Sequence, residues 1–327
     1  MLTIYTSSST GGLRRLEQFD PMQLSLFAWI DLLHPTEEER RRIETALEIA
    51  LPTREEMAEI EDSSRFYQDN GALFLTAAIM CLSESEFPAT TDVTFVLVRN
   101  LLLTVRYGSP RPFQTFAAQA LRQPGLATNG ESILLGLLDA CLDRVADHIE
   151  RTSNEVDILV HEVLAPEDPP RRRRAGLRYA DMLRQLERNQ AVVSKARTSL
   201  LSLNRLMSYV ARPTQGLPSG KAFRSQVLTL IHDVRSLIDH TNFLGNNITF
   251  ELQAILGMVS IEQNNIIKIF SVAAVVLLPP TLVASIYGMN FEVMPELRWL
   301  LGYPFALGLM VLSAVVPYRI FKRHGWL

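Results

Sequence analysis

Seven residues near the C-terminal end of the sequence have types and a spacing that could line a path for a cation. Most of their side chains are small, hydroxylic or amidic, and none is ionisable. Each lies three or four residues from the next, so at about 3.6 residues per turn they share one face of a helix. We call this set the polar column: Asn264, Ile267, Ser271, Ala274, Leu278, Thr281 and Ser285.

Two interpretations of the polar column are open at this point. Small and hydroxylic residues at this spacing also serve to pack one membrane helix against another. Alternatively, copies of the helix could surround an axis and turn the column toward water, because one or two helices cannot enclose a path alone.

The surrounding residues indicate the elements that would position the column. No charge occurs from Ile269 to Phe291, which exceeds the ~20 residues that a helix needs to cross a bilayer. A second uncharged stretch runs from Trp299 to Tyr318. The sequence predicts a transmembrane region at 266–327, with spans at about 266–287 and 299–320 and an outer loop at 288–298.

A tetrapeptide, Tyr287-Gly288-Met289-Asn290, closes the first predicted span, and Met294-Pro295-Glu296-Leu297 follows in the loop. This pair of motifs resembles the CorA family of divalent-cation channels. The similarity covers nearly the whole chain and is tightest after residue 255. It includes Leu278-Pro279-Pro280-Thr281, the ending Phe321-Lys322-Arg323-His324-Gly325-Trp326-Leu327, and Trp29-Ile30-Asp31-Leu32 upstream.

The resemblance implies a funnel-shaped homopentamer that transports Mg²⁺, and also Co²⁺ or Ni²⁺, through a pore lined by the polar column. Gly288, Met289 and Asn290 would form the selectivity filter, with Gly288 allowing a tight turn at the helix end. Leu278 and Ile267 are expected to be apolar constrictions that close by dewetting.

The lack of charge in the column predicts how the ion would pass. Bare Mg²⁺ needs several oxygen ligands at about 2.1 Å, and it loses its waters reluctantly. Because amides, hydroxyls and methyls cannot offset that dehydration, we expect a largely hydrated ion. Asn290 carbonyl oxygens would accept hydrogen bonds from its water shell.

Acidic residues outside the column have two expected roles. Glu292 and Glu296 in the outer loop could concentrate cations, or could simply keep the loop soluble. The resemblance also implies a regulatory Mg²⁺ site between soluble domains that holds the pore shut. Its candidate ligands here are Glu55, Glu56 and Glu59 on one side and Asp233 or Asp239 on the other.

The first 217 residues predict an α+β domain with a mixed sheet flanked by helices. Strands are expected at 25–32, 65–67, 72–80, 91–98 and 101–107, with an Asn70-Gly71 turn between the second and third. Thr36 is the expected cap of the first helix. Further helices are predicted at 114–122, 131–164 and 177–210.

A long helix is expected next, because no proline lies between Pro218 and Pro279. Residues 218–265 would form a cytosolic stalk leading into the first span. The uninterrupted stretch would measure about 90 Å at the α-helical rise.

Basic residues at the end of the second span predict the orientation. Arg319, Lys322 and Arg323 follow it directly, which favours cytoplasmic N and C termini in a bacterial inner membrane. Lys322, Arg323 and His324 could also form a basic collar at the inner neck of a pore.

Several function classes are disfavoured. The formal net charge of −3 is not that of a dedicated nucleic-acid binder. The sequence Gly216-Leu217-Pro218-Ser219-Gly220-Lys221-Ala222 is one residue short of a phosphate loop and lacks its hydroxyl, so neither an enzyme nor an organic cofactor is expected. The alternatives are a zinc-transporting relative, which the Gly-Met-Asn and Met-Pro-Glu-Leu sequences disfavour, and a non-conducting membrane-anchored sensor or scaffold.

Overall fold

The computed structural model describes residues 1–7, 12–16, 19–82, 88–164, 175–212, 220–290, 295 and 299–324. The chain divides into a first unit, Met1–Leu252, and a second unit, Gln253–Leu327.

A seven-stranded mixed sheet forms the centre of the first unit. Its spatial order is β2-β1-β3-β7-β6-β5-β4, and β3 and β7 pair in parallel while the other neighbours pair antiparallel. The strands are β1 Leu2–Ser7, β2 Leu13–Leu16, β3 Phe27–Leu33, β4 Phe66–Asp69, β5 Ala72–Leu82, β6 Pro88–Val98 and β7 Leu101–Arg106.

Turn chemistry explains why the predicted hairpins are confirmed. Asn70 and Gly71 both have positive φ, 48° and 76°, as a two-residue hairpin turn of the primed type requires. Arg99, between β6 and β7, has φ 53°. Four predicted strand residues lie outside the strands. Ser25 and Leu26 belong to a 3₁₀ helix, Pro21–Leu26, Arg65 ends a short helix before β4, and Tyr107 follows β7.

Eight α-helices lie in the described residues. Thr36 caps the first as predicted, since its hydroxyl accepts the Glu39 amide at 3.2 Å and the Glu39 side chain accepts the Thr36 amide at 2.9 Å. The fourth helix begins three residues before the predicted start, with Pro112 in its first turn. They are α1 Glu37–Leu47, α2 Arg54–Met57, α3 Asp62–Arg65, α4 Arg111–Ala120, α5 Gly130–Leu164, α6 Ala175–Val210, α7 Lys221–Tyr287 and α8 Gly302–Arg323.

Both faces of the sheet are buried. Ile30, Phe74 and Leu103 join one cluster with Ile43 of α1 and Met57 of α2. On the other face, the Trp29 ring lies 6.4 Å and 6.0 Å from the rings of Phe113 and Phe116 on α4. Burying apolar surface on both sides provides the main driving force for folding this unit.

A buried ion pair joins the two parallel strands. The Arg106 guanidinium donates two hydrogen bonds to the Asp31 carboxylate, at 2.9 and 2.7 Å. Thr104 donates a third at 2.8 Å and itself accepts the Trp29 indole N–H at 3.0 Å. The pair is therefore fully hydrogen-bonded, as a buried charge must be.

Helix α6 covers the edge of β5 beyond the short strand β4. The amides of Ala78 and Met80 donate to the hydroxyls of Ser202 and Ser199, at 2.9 and 3.1 Å. These bonds satisfy an open sheet edge that would otherwise invite pairing with another chain.

Helix α7 has a buried seam within the first unit. Val227, Val234, Thr241, Leu244 and Ile248 are almost fully buried. A Cβ added at Gly245 would lie 3.5 Å from Val193 of α6, so the two helices pack closely there.

The second unit contains the C-terminal part of α7 and all of α8. Both helices are long and apolar enough to cross a membrane. Residues 299–301, where the second span is predicted to begin, form a turn before α8.

Candidate functional site

The polar column lies on a single uninterrupted helix. Helix α7 continues through Pro279 and Pro280 to Tyr287, so all seven predicted residues keep their helical spacing. Each of the seven is exposed in the chain, and Ile267 and Leu278 are 61% and 66% exposed. The chain's own side chains therefore leave this face uncovered.

The opposite face of the same segment is the covered one. Val272 is 5% exposed, and Val276, Val283 and Tyr287 are partly buried. These positions also recur every three to four residues, about half a turn away from the column. The covered residues thus form a narrow apolar strip opposite the column, while other apolar residues of the span, such as Ile269 and Phe270, are exposed as the column is.

Thr281 shows the hydrogen-bonding character of the column. Its hydroxyl donates to the Leu277 carbonyl at 2.8 Å, so the proton is committed to the helix. The remaining capacity of the oxygen is as an acceptor. This orientation suits the waters around a cation, whose hydrogens point outward.

Two prolines modify the backbone beside the column. Pro279 and Pro280 have no N–H, so the usual helical hydrogen bonds to the carbonyls of Val275 and Val276 are missing. Prolines are tolerated within membrane helices when other groups satisfy the freed carbonyls.

The predicted filter residues follow directly after the helix. The Gly288 amide donates to the Ala284 carbonyl at 3.0 Å, and Met289 donates to Ile286 at 3.3 Å. A Cβ at Gly288 would lie 3.1 Å from the Ala284 carbonyl oxygen. Close approach, rather than a positive φ, is therefore what glycine provides in this turn. Asn290 is exposed.

The predicted outer-loop acids, Glu292 and Glu296, lie outside the described residues. Their contribution to the site stays a prediction.

The predicted regulatory acids lie in two separate groups. Glu55 and Glu56 are in the first turn of α2, where the Glu56 carboxylate accepts the Thr53 amide at 2.7 Å. Glu56 and Glu59 line an open cleft of about 470 Å³ with Tyr67 and Asp69. Burial, then the charges of Glu56 and Asp69, raises the pKa of Tyr67.

Asp233 and Asp239, the second group, lie on α7. Asp233 is exposed. Partial burial, then the carboxylates of Asp143 and Asp233, raises the pKa of Asp139 on α5. Within the described part of one chain, no three His, Cys, Asp or Glu side chains are grouped to hold a metal. The sequence did not reveal the approach of Asp139 to Asp233, because the two residues are far apart along the chain.

Comparison with known proteins gives strong similarity. Residues 25–323 match the family model described as "CorA-like Mg2+ transporter protein". The chain is 36% identical over 315 residues to the magnesium transport protein CorA of Pectobacterium atrosepticum, with 96% of each chain covered. Against the protein of the same name from Escherichia coli K12, identity is 35% over 315 residues, again with 96% of each covered.

Solved structures show the same fold at lower identity. The complete CorA magnesium transporter from Methanocaldococcus jannaschii aligns with a TM-score of 0.76 at 18% identity, over 100% of this chain and 99% of that one. The full-length CmaX protein aligns with a TM-score of 0.69 at 14% identity, covering 98% and 97%.

Proposed function

The chain belongs to the CorA-like Mg²⁺ transporter family, and on that premise we propose that it forms a homopentameric channel for hydrated Mg²⁺, which also passes Co²⁺ and Ni²⁺. The channel admits ions down the membrane potential and is gated by Mg²⁺ inside the cell.

The exposure of the polar column is the observation that carries this proposal. A hydroxylic and amidic face left uncovered in a bilayer is unfavourable unless water or another chain meets it. Identical copies arranged around an axis would remove this unfavourable contact with lipid, because their columns would line a shared water-filled path. The number five comes from the family resemblance.

Uncharged acceptors suit a hydrated ion. Thr281, with its proton donated to Leu277, offers lone pairs to the outward-pointing hydrogens of the water shell. Because Mg²⁺ releases its waters reluctantly, recognition through that shell avoids the dehydration cost. Rings of Ser271, Ser285 and Asn264 would repeat the same contact along the path.

The mouth of the channel and its constrictions would provide ion selectivity, closure of the path and attraction of cations. Gly288, Met289 and Asn290 form the selectivity filter, with the Asn290 amide oxygen as the acceptor. Leu278 and Ile267 narrow the path with apolar rings, which close when water leaves them. Glu292 and Glu296 attract cations at the outer mouth.

The membrane potential provides the driving force without a nucleotide. A divalent ion gains about 4.6 kcal/mol per 100 mV of inside-negative potential. Arg319, Lys322 and Arg323 at the end of α8 support cytoplasmic N and C termini in a bacterial inner membrane, by the positive-inside tendency.

Regulation would take place between neighbouring subunits. Glu55, Glu56 and Glu59 of one subunit would share Mg²⁺ with Asp233 or Asp239 of the next and hold the pore shut. Mg²⁺ is thus both the transported ion and the regulator.

Uptake of Mg²⁺ into proteoliposomes tests the proposal. We expect the intact protein to admit Mg²⁺ and Asn290→Ala to lose most of that uptake. Asn264→Ala should alter the flux, whereas Asn265→Ala, an exposed neighbour outside the column, should not. No uptake above empty liposomes would favour the scaffold alternative, and unchanged uptake in Asn290→Ala would exclude the proposed filter.

A further inference from the structure

Three basic residues at the end of α8 share one face of the helix. Arg319, Lys322 and Arg323 are spaced by three and four residues, which places them within about 100° of arc. All three are exposed. In the described part of the chain, none of them forms an ion pair with a carboxylate.

The described residues of the second unit carry almost no negative charge to balance them. Across its described residues, 253–290, 295 and 299–324, the only carboxylate side chain is that of Glu262. Three neighbouring cations on one helical turn repel one another, so an anion binding among them would relieve that repulsion.

The distance along α8 indicates where that anion comes from. Gly302 and Arg319 are separated by about 25 Å at the α-helical rise, close to the ~30 Å thickness of bilayer hydrocarbon. When the helix spans the membrane, the three cations therefore lie at the level of the lipid headgroups, beside the interfacial ring of Tyr318.

We propose that Arg319, Lys322 and Arg323 form a binding site for the phosphate of an anionic phospholipid such as phosphatidylglycerol. The two arginines offer planar, bidentate donors to phosphate oxygens, and Lys322 adds a third positive charge. The site needs only a membrane-spanning α8, so it does not depend on the proposed ion path. It differs from a basic collar, in which these side chains would face one another around a pore.

Lipid retention by the purified full chain tests the site. The protein is equilibrated with mixed phosphatidylcholine and phosphatidylglycerol, and the bound lipid is quantified by mass spectrometry. Each neutralisation to glutamine should weaken phosphatidylglycerol retention about fivefold, because one Lys or Arg near an anionic surface contributes about that factor. Retention should also fall with added salt.

Matched variants separate this site from general charge effects. Arg184, Lys195 and Arg197, exposed on α6, lose the same charge when changed to glutamine and should leave retention unchanged. Arg319→Lys together with Arg323→Lys keeps the charge but removes the bidentate donors, so phosphatidylglycerol retention should fall less than when all three residues are changed to glutamine. The two triple variants change all three basic residues of α8, or all three of α6, to glutamine. An equal loss of phosphatidylglycerol retention in both triple variants would overturn the proposal, as would no loss in either.

Two further measurements complete the test. Inorganic phosphate at 10-fold excess over lipid should not displace phosphatidylglycerol; displacement would assign the site to free phosphate and overturn the lipid proposal. If the basic residues form a collar, the glutamine triple would change Mg²⁺ flux while phosphatidylglycerol retention stayed the same, and this result would also overturn it. Failure of Mg²⁺ uptake in the intact protein would leave the expected lipid result unchanged.

Discussion

Aliphatic side chains with similar exposed fractions have different surroundings in the two units. Ile158 on α5 and Leu277 on α7 are 60% and 65% exposed, and both are aliphatic residues on long helices. Ile158 is one isolated apolar side chain on a polar surface. Leu277 lies in a helical segment where other large apolar residues, including Phe270 and Leu282, are also exposed. The surface of the first unit is therefore suited to contact with water, and that of the second unit to contact with lipid.

The comparison shows which positions are unusual in each unit. In the first unit, apolar side chains are buried by default, so the buried charges of Asp31 and Arg106 need a special arrangement of partners. In the second unit, exposed apolar residues are the default. The exposed hydroxyls of the polar column are the unusual feature there, and the proposed function assigns the ion path to them.

Breaking the buried ion pair should have the largest effect. Arg106→Met leaves the Asp31 carboxylate buried without its counter-ion, which costs about 3–5 kcal/mol. Thermal or denaturant unfolding of the purified full chain measures the loss of stability. Arg184→Met is the control, because its pair with Asp181, at 3.3 Å, is exposed and should contribute less than about 1 kcal/mol. Similar losses in both variants would contradict the role given to burial.

Placing a charge on the apolar surface of α7 should have the next largest effect. Leu277→Arg puts an arginine in the middle of the first span, at a cost of about 2.5–3.5 kcal/mol in membrane insertion. Ile158→Arg makes the same kind of change at matched exposure in the first unit and should stay within about 0.5 kcal/mol. The inserted, folded fraction of each variant after expression measures the difference. Equal behaviour would mean that the two surfaces meet the same solvent.

Local sequence signals predicted much of the fold. Asn70-Gly71 determines a turn through its backbone preferences, and Thr36 caps a helix through contacts within four residues. The strands β1 and β2 were not predicted individually, because Leu2–Ser7 and Leu13–Leu16 are short and partly polar. Among the described strands, β2 pairs only with β1, and β1 in turn pairs with β3, which lies later in the chain.

The candidate site also has features that the local sequence predicted and features that it could not predict. Helical periodicity was sufficient to place Asn264 through Ser285 on one face. It could not show which face the chain covers, because Val272 becomes buried only through tertiary packing. The Asp31–Arg106 pair and the contact of Met80 with Ser199 join residues 75 and 119 positions apart, so no local pattern predicts them.

The smallest expected effect concerns the pH dependence of stability, through the buried residue His148. It tests whether the interior of the first unit disfavours a charged side chain, as the lipid-facing surface of the second unit does. His148 on α5 is 5% exposed. Burial, assisted by Arg144 and Arg151, lowers its pKa to about 4, whereas an unfolded histidine titrates near 6.5.

Between pH 6.5 and about 4 the unfolded chain therefore binds more protons than the folded one, so His148 makes stability fall as the pH is lowered through this window. It has no such effect above the window, where the imidazole is neutral in both states. His148→Gln should reduce the pH dependence of unfolding between pH 6.5 and 4, while His161→Gln, exposed on the same helix, should leave it nearly intact. An unchanged slope in His148→Gln would mean that water reaches this part of the core and solvates the imidazolium.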